Sequence, residues 1–353
     1  MTAVHGTLDW RAHVAMARVD YWFKNVFVLP GIVVAIGTVP PVDGTVLLGR
    51  ALIGIGSICL VASSNYTLNE VLDAPTDRFH AEKRHRPIAA GRVRPGAAYV
   101  QWLVLAALGF WTASRVSVPF LFSVVALWLM ACAYNVPPVR AKDVPYLDVL
   151  TEAINNPLRM LAGWFIVTDQ TVAPASLLLC YWMLGCYFMA LKRYAELASI
   201  GDRAKAAAYR ASFGHYTSER LLVAIMFYAT AAMMFFGAFC MRYRMELVLA
   251  FPLVALVMAI YLQVAFKAGS AAQQPERLYR ERGLMTAVIA TAIVLYALLR
   301  VDIPAMYRFF TPTAPVQERV AVRVAERVAE QRAQRWAPTS TRPRCTCALA
   351  RST

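Results

Sequence analysis

An all-α, polytopic membrane protein is the fold class this sequence predicts, and three observations predict it. The 353 residues are 59% hydrophobic and only 16% charged, with a mean hydropathy of +0.48, whereas soluble domains run about 45–50% apolar and about 25% charged. The apolar residues gather in runs of near-bilayer length, about 20 being enough to cross. Most of the basic residues behind the net charge of +15 fall between these runs or in a terminal tail, where membrane proteins carry their topology signal. A disordered, collagenous or disulfide-stapled chain is excluded. The seven cysteines are scattered, five of them inside apolar runs, and read as small buried side chains.

In chain order, residues 1–20 carry Arg11, Arg18, Asp9, Asp20, His5 and His13. They lack the apolar core and cleavage site of a signal peptide and form an N-terminal cytoplasmic segment. About nine spans follow within residues 21–302. The first, at 23–36, is interrupted by Lys24 and Pro30; those at 46–68, 97–113 and 118–134 are clean, the last being short enough to be re-entrant. The fifth, at 147–167, carries Asp148, Glu152, Asn155, Asn156 and Arg159, and runs at 173–191, 221–241, 247–266 and 284–299 complete the bundle.

The connections on the N-terminal side hold Arg78, Lys83, Arg84, Arg86, Arg92 and Arg94, then Arg140 and Lys142, then Lys192, Arg193, Arg203, Lys205, Arg210 and Arg220, then Lys267, Arg277, Arg280 and Arg282. The opposite connections hold little beyond Arg115, Arg242 and Arg244. The positive-inside rule places the N-terminus and the long loops in the cytoplasm, as for a multi-pass protein of a bacterial inner membrane. Nine spans would put the C-terminus outside. The tail, residues 303–353, has eight arginines and three glutamates after residue 315 and reads as a short amphipathic helix followed by disorder. Its basic residues suit lipid headgroups, and no nucleic acid is expected as a partner.

Chemistry concentrates in three polar blocks. In the first, Asn69, Asp73 and Asp77 fall at about 0°, 40° and 80° on a helix of about 100° per residue, a single face. An aspartate at a helix centre costs about 2.5–3.5 kcal/mol on insertion scales, so this stripe belongs in a wet, protein-lined central cavity. Pro75 is expected to kink or end the helix there. In the second block, Asp148, Glu152, Asn155 and Arg159 occupy an arc of about 60° on one helix; the alternative is that they only hydrogen-bond to one another. Carboxylates from Asp73, Asp77, Asp148 and Glu152, with Glu70 a further candidate, suit magnesium bridging to substrate phosphates, hence a diphosphate site. Lys83, Arg84, Arg86 and Arg159 would serve the same oxygens. The third block, Lys192 to Leu197 and then Asp202 to Thr217, is a charge-mixed loop whose plainest reading is a solvated helix.

At these residues the chain resembles the UbiA-type intramembrane prenyltransferases, whose first motif, NDxxDxxxD, stands here as Asn69-Glu70-Val71-Leu72-Asp73-Ala74-Pro75-Thr76-Asp77. Glu70 keeps the carboxylate but lengthens its reach. The run from Lys83 to Gly91 and Tyr134-Asn135 are also similar, and Asp148 to Glu152 matches the family's DxxxD with one Asp as Glu. The resemblance implies a UbiA-like bundle with Asp73, Asp77 and Asp148 catalytic. It implies magnesium held by Glu70, Asp73, Asp77, Asp148 and Glu152, and a lateral opening for an isoprenoid lipid. Asn69, Glu152, Asn155, Arg159, Lys192 and Arg193 join the basic residues as substrate-binding candidates. Lys192 to Leu197, Tyr209 to Phe213, Tyr216-Thr217 and Trp22 to Asn25 resemble the branch that makes decaprenyl-phosphate phosphoribose.

Two transfer reactions therefore stay open, both releasing diphosphate. One moves a prenyl group from a prenyl diphosphate to an acceptor. The other moves phosphoribose from phosphoribosyl pyrophosphate to a polyprenyl phosphate. A non-enzymatic transporter is the alternative from another class, since intramembrane acids also mark ion pathways.

Overall fold

Pro, Gly and capping side chains divide the apolar runs into thirteen α-helices among the described residues, 9–39, 43–78, 83–267, 269–273 and 275–310 of the computed structural model, and no strand occurs among them. The helices are α1 (Trp10–Ala17), α2 (Leu29–Thr38), α3 (Gly44–Asp77), α4 (Pro95–Ser114), α5 (Val118–Asn135), α6 (Leu147–Ala153) and α7 (Asn155–Val167). After them come α8 (Ala175–Ile200), α9 (Arg203–Tyr209), α10 (Ser218–Tyr243), α11 (Phe251–Ala265), α12 (Arg282–Leu298) and α13 (Pro304–Phe310). The chain divides into two units, residues 1–302 and 303–353. In the second, α13 is the described element, and the expected tail helix and disorder lie outside the described residues.

Seven helical segments among the described residues are long and apolar enough to cross a membrane, counting Trp10–Thr38 as one. The α6–α7 pair and the shorter α12 bring the hydrophobic segments to about the nine that the sequence suggests. Large apolar side chains such as Phe122, Leu52 and Val223 point outward and exposed, as suits a protein whose solvent is lipid.

Inside, five apolar clusters form among the described residues, and two of them are large. One joins α2, α3, α5 and α7 through Ala35, Ile58, Val61, Phe120, Val124 and Ile166. The other joins α6, α8, α10 and α11 through Val149, Cys186, Leu191, Ile225, Tyr228 and Met258. The α6–α7 pair contributes to both, and the polar contacts gather near the C-terminal ends of α3, α5 and α8.

Two local features differ from the sequence expectation. The fifth span is not one helix: it breaks at Ile154 into α6 and α7, because Pro157 lacks an amide hydrogen and disfavours helical backbone at Asn156. Pro75 does not stop α3 at once. The helix continues to Asp77, and the Arg78 amide still donates to the Ala74 carbonyl at 3.3 Å.

Close approach fixes the first span against α7. A Cβ on Gly31 would run into the Met160 carbonyl, and one on Gly163 into the Val28 carbonyl. Only glycine permits this backbone contact, and it brings Asn25 to Arg159.

Candidate active site

The four-residue spacing of Asn69, Asp73 and Asp77 on the last turns of α3 does place them along one side, and the loop after α5 folds back onto them. The Lys142 ammonium donates to Asp73 Oδ1 at 2.5 Å, to Asn135 Oδ1 at 3.0 Å and to Asn69 Oδ1 at 3.4 Å. Its three protons are thereby all used. Arg140 reaches the same Asp73 oxygen at 3.3 Å and Asp143 at 2.7 Å. Burial pushes the Lys142 ammonium below the ordinary lysine range, against the pull of the Asp73 charge.

Asp77 is buried and pairs with Arg86 at 2.5 Å. Lys83 lies 4.9 Å above the Tyr209 ring, and burial pushes its ammonium down, with Asp77 opposing. Arg84 is exposed and donates to the His85 ring at 3.3 Å. Glu70, also buried, accepts the Ile88 amide at 3.1 Å and so fastens the 83–94 loop to α3.

A second centre forms around Arg193, the largest fully buried side chain among the described residues. Its guanidinium donates to Asp148 Oδ2 at 3.0 Å, Glu152 Oε2 at 2.9 Å and Glu196 Oε2 at 3.1 Å. Tyr134 donates to Glu152 at 2.8 Å. Asp148 is 0% exposed and also accepts from Tyr216 at 2.6 Å and Ser212 at 3.4 Å, with Arg210 at 3.8 Å. Burial and the Asp148 charge push the Tyr216 phenol above its ordinary range, so it remains a donor. Arg210 also donates to the Tyr134 hydroxyl at 3.3 Å. Lys192 faces Glu196 at 4.0 Å, and Asn155 turns back to the Glu152 carbonyl at 3.0 Å.

Among the described residues no three His, Cys, Asp or Glu side chains converge as a ready metal cage. Magnesium, however, commonly takes one or two carboxylates and completes its shell with water and substrate phosphates. Asp73 and Asp77, one turn apart and each facing a basic side chain, fit a metal that arrives with a diphosphate. Asp148 and Glu152 fit poorly as an opposing metal set, because the Arg193 guanidinium against both carboxylates is only 1% exposed and closed in, whereas the cations against Asp73 and Asp77 come from part-exposed loops.

Arg159 departs from the carboxylates it shares an arc with in the sequence. Its Nε donates to Asn25 Oδ1 at 3.2 Å, and no carboxylate lies within ion-pairing distance among the described residues. Lys142, Arg140, Tyr134, Asn135, Arg210, Ser212 and Tyr216 contact the candidate carboxylates or their partners, although sequence reasoning left them as loop charge or as mere similarity. The one usable signal is a short loop, Arg140-Ala141-Lys142-Asp143, set between the two acidic motifs.

The UbiA prenyltransferase family matches residues 25–288. The decaprenyl-phosphate phosphoribosyltransferase of Mycolicibacterium smegmatis is 30% identical over 229 residues, 64% of this chain and 68% of that protein. The protoheme IX farnesyltransferase of Marinobacter nauticus is 26% identical over 176 residues, 49% of this chain and 55% of that protein. A solved UbiA homologue from Archaeoglobus fulgidus, bound to GPP and Mg2+, has the same fold with a TM-score of 0.62 at 20% identity, covering 82% of this chain and 100% of that one. The chain is an integral membrane transferase and belongs to the UbiA prenyltransferase family.

Proposed function

We propose that this transferase moves the phosphoribosyl group of phosphoribosyl pyrophosphate onto a polyprenyl phosphate, with residues 21–302 as the catalytic domain. The observation that carries this reading is the loop over the Arg193 centre. Arg210, Ser212 and Tyr216 all contact Asp148, and they belong to the segment whose sequence resembles the phosphoribosyl branch. The 30% identity to a decaprenyl-phosphate phosphoribosyltransferase supports the same choice. A donor bearing a 5-phosphate as well as a diphosphate needs many cationic groups at the site mouth, and Lys83, Arg86, Arg140, Lys142 and Arg210 cluster there.

In the reaction, an oxygen of the acceptor phosphate bonds to C1 of the ribose. The C1–oxygen bond to diphosphate breaks, and its electron pair leaves on the diphosphate. Magnesium held by Asp73 and Asp77 would offset the charge gathering on that leaving group. Lys142 and Arg86 hold these two carboxylates in position beforehand and can turn donors to the diphosphate oxygens. Arg193 stays fixed among three carboxylates and so acts as a positioning residue. The basic loops support a reading in which this end of the bundle faces the cytoplasm from a bacterial inner membrane, where a water-soluble sugar phosphate is at hand.

Prenyl transfer is the second reading, favoured by the common fold with a homologue bound to GPP and Mg2+. Diphosphate release by the purified protein with magnesium separates them. Release with phosphoribosyl pyrophosphate plus polyprenyl phosphate, and not with prenyl diphosphates plus aromatic acceptors, is expected; the reverse pattern refutes the phosphoribosyl reading.

A further inference from the structure

Away from the acidic motifs, the first span, α3, α7 and α8 enclose a polar group that the donor chemistry does not use. Arg159 sits on α7, beyond the break at Ile154 that separates it from Glu152 on α6. Its guanidinium has five N–H donors in a planar fork. One of them meets Asn25 Oδ1 at 3.2 Å, and no acidic side chain among the described residues pairs with it. Around it stand Tyr66, Tyr181 and Cys59, and the Glu152 carboxylate acts on its charge without pairing with it.

The Asn25 end is held rigidly. Asn25 is buried and donates to Cys59 Sγ at 3.2 Å, while neighbouring Trp22 donates to Ser63 Oγ at 2.9 Å. Tyr181 in turn packs edge-on against Phe27, with ring centroids 6.3 Å apart. An arginine at membrane depth is costly unless an anion or a hydrogen-bonded network meets it. Here the network leaves most of the fork unused, with apolar aromatic surface beside it.

We propose that Arg159, oriented by Asn25, is the binding site for the phosphate headgroup of the isoprenoid acceptor. This rests on the reading that the acceptor is a lipid phosphate. The guanidinium fork matches phosphate oxygens in pairs, the Tyr66 and Tyr181 rings stand beside it, the Tyr181 hydroxyl donating at 3.5 Å to the Phe27 carbonyl, and the Phe27 ring offers apolar surface to the first isoprene units. A neutral aromatic acceptor would leave the charge unmatched. The donor diphosphate and the acceptor phosphate are thus met by different cations, the acceptor by one that has no carboxylate ion-pair partner among the described residues.

The test measures binding of a long-chain polyprenyl phosphate and of the matching uncharged polyprenol to the full chain in detergent. Wild type should bind the phosphate about tenfold to a hundredfold more tightly, the worth of one charged hydrogen-bonded contact. R159M should lose that difference while binding phosphoribosyl pyrophosphate as wild type does, and R159K should keep part of it. N25D, which supplies Arg159 with a carboxylate while leaving the arginine in place, should lose it too. A folded R159M or N25D that still prefers the phosphate overturns the proposal. So does displacement of the lipid by inorganic phosphate or phosphatidic acid as readily as by polyprenyl phosphate, which would assign the site to free anion or bulk lipid. If wild type turns over no phosphoribosyl pyrophosphate yet the charge preference and its loss in R159M persist, the donor reading fails and the acceptor site stands.

Discussion

Replacing Arg193 with Met removes the one cation that touches Asp148, Glu152 and Glu196 together, at 3.0, 2.9 and 3.1 Å. Asp148 and Arg193 are 0% and 1% exposed, so water cannot replace the lost partner. Breaking a buried ion pair from one side costs about 3–5 kcal/mol, most of it the penalty of the abandoned charge. Glu152 and Glu196 are partly exposed and add less. The residual partners of Asp148, Tyr216 at 2.6 Å, Ser212 at 3.4 Å and the Arg210 cation at 3.8 Å, offset part of the loss. A net destabilisation of about 3 kcal/mol is expected, read as a lower thermal midpoint in detergent and a smaller folded fraction by size exclusion. The cycle with Asp148→Asn gives the decisive comparison. D148N removes the abandoned charge, so the double variant should be more stable than R193M alone, with a coupling of about 2 kcal/mol or more. If R193M melts with wild type, or if D148N fails to rescue it, Arg193 is not what holds this acidic cluster.

Three further outcomes follow from the same contacts. Asp73→Asn keeps the shape but loses the charge that Lys142 and Arg140 meet at 2.5 and 3.3 Å; diphosphate release should fall by at least about a hundredfold while the detergent melt stays close to wild type. The Lys142 ammonium is held below the ordinary lysine value of 10.5 by burial, so its charge is complete at low pH and is lost as pH rises through the lowered value. The alkaline limb of kcat/KM should accordingly begin below that of a solvent lysine, and Lys142→Arg, which stays charged, should move it upward. Gly163→Ala drives a Cβ into the Val28 carbonyl and should destabilise the fold by about 1–3 kcal/mol, measured by the same melt.

The bundle was legible in the sequence wherever an apolar run stood alone, as in α4, α5 and α10, because lipid demands unbroken hydrogen-bonded helix. The first acidic motif was legible for an equally local reason, its four-residue spacing on α3. What failed was continuity: four polar residues on one arc assumed a single helix, and the break at Ile154 sends Asp148 and Glu152 to Arg193 and Arg159 to Asn25. Lys142 and Arg140 were illegible as site residues because their partner Asp73 lies 69 and 67 positions away. No periodicity within either segment encodes a contact that depends on how a loop folds across a helix end.

The exposure of the cations separates the fixed from the exchangeable. A carboxylate at membrane depth costs about 2.5–3.5 kcal/mol on insertion scales, and each one here is met by a basic side chain or a backbone amide. Arg193, at 1% exposure, is anchored within α8 and cannot leave three acids to follow a substrate. Arg86 and Arg140 are 21% and 26% exposed and come from loops, as does Lys142 at 10%. These side chains can exchange a carboxylate for a diphosphate oxygen of like charge with little change in the surrounding packing. On the proposed reading, Asp73 and Asp77 are held in a charge-balanced form before substrate enters, and the same loop cations would become ligands to the donor when it does. Binding of phosphoribosyl pyrophosphate should for that reason fall steeply with salt, whereas the Arg193 cluster, closed to solvent, should not respond.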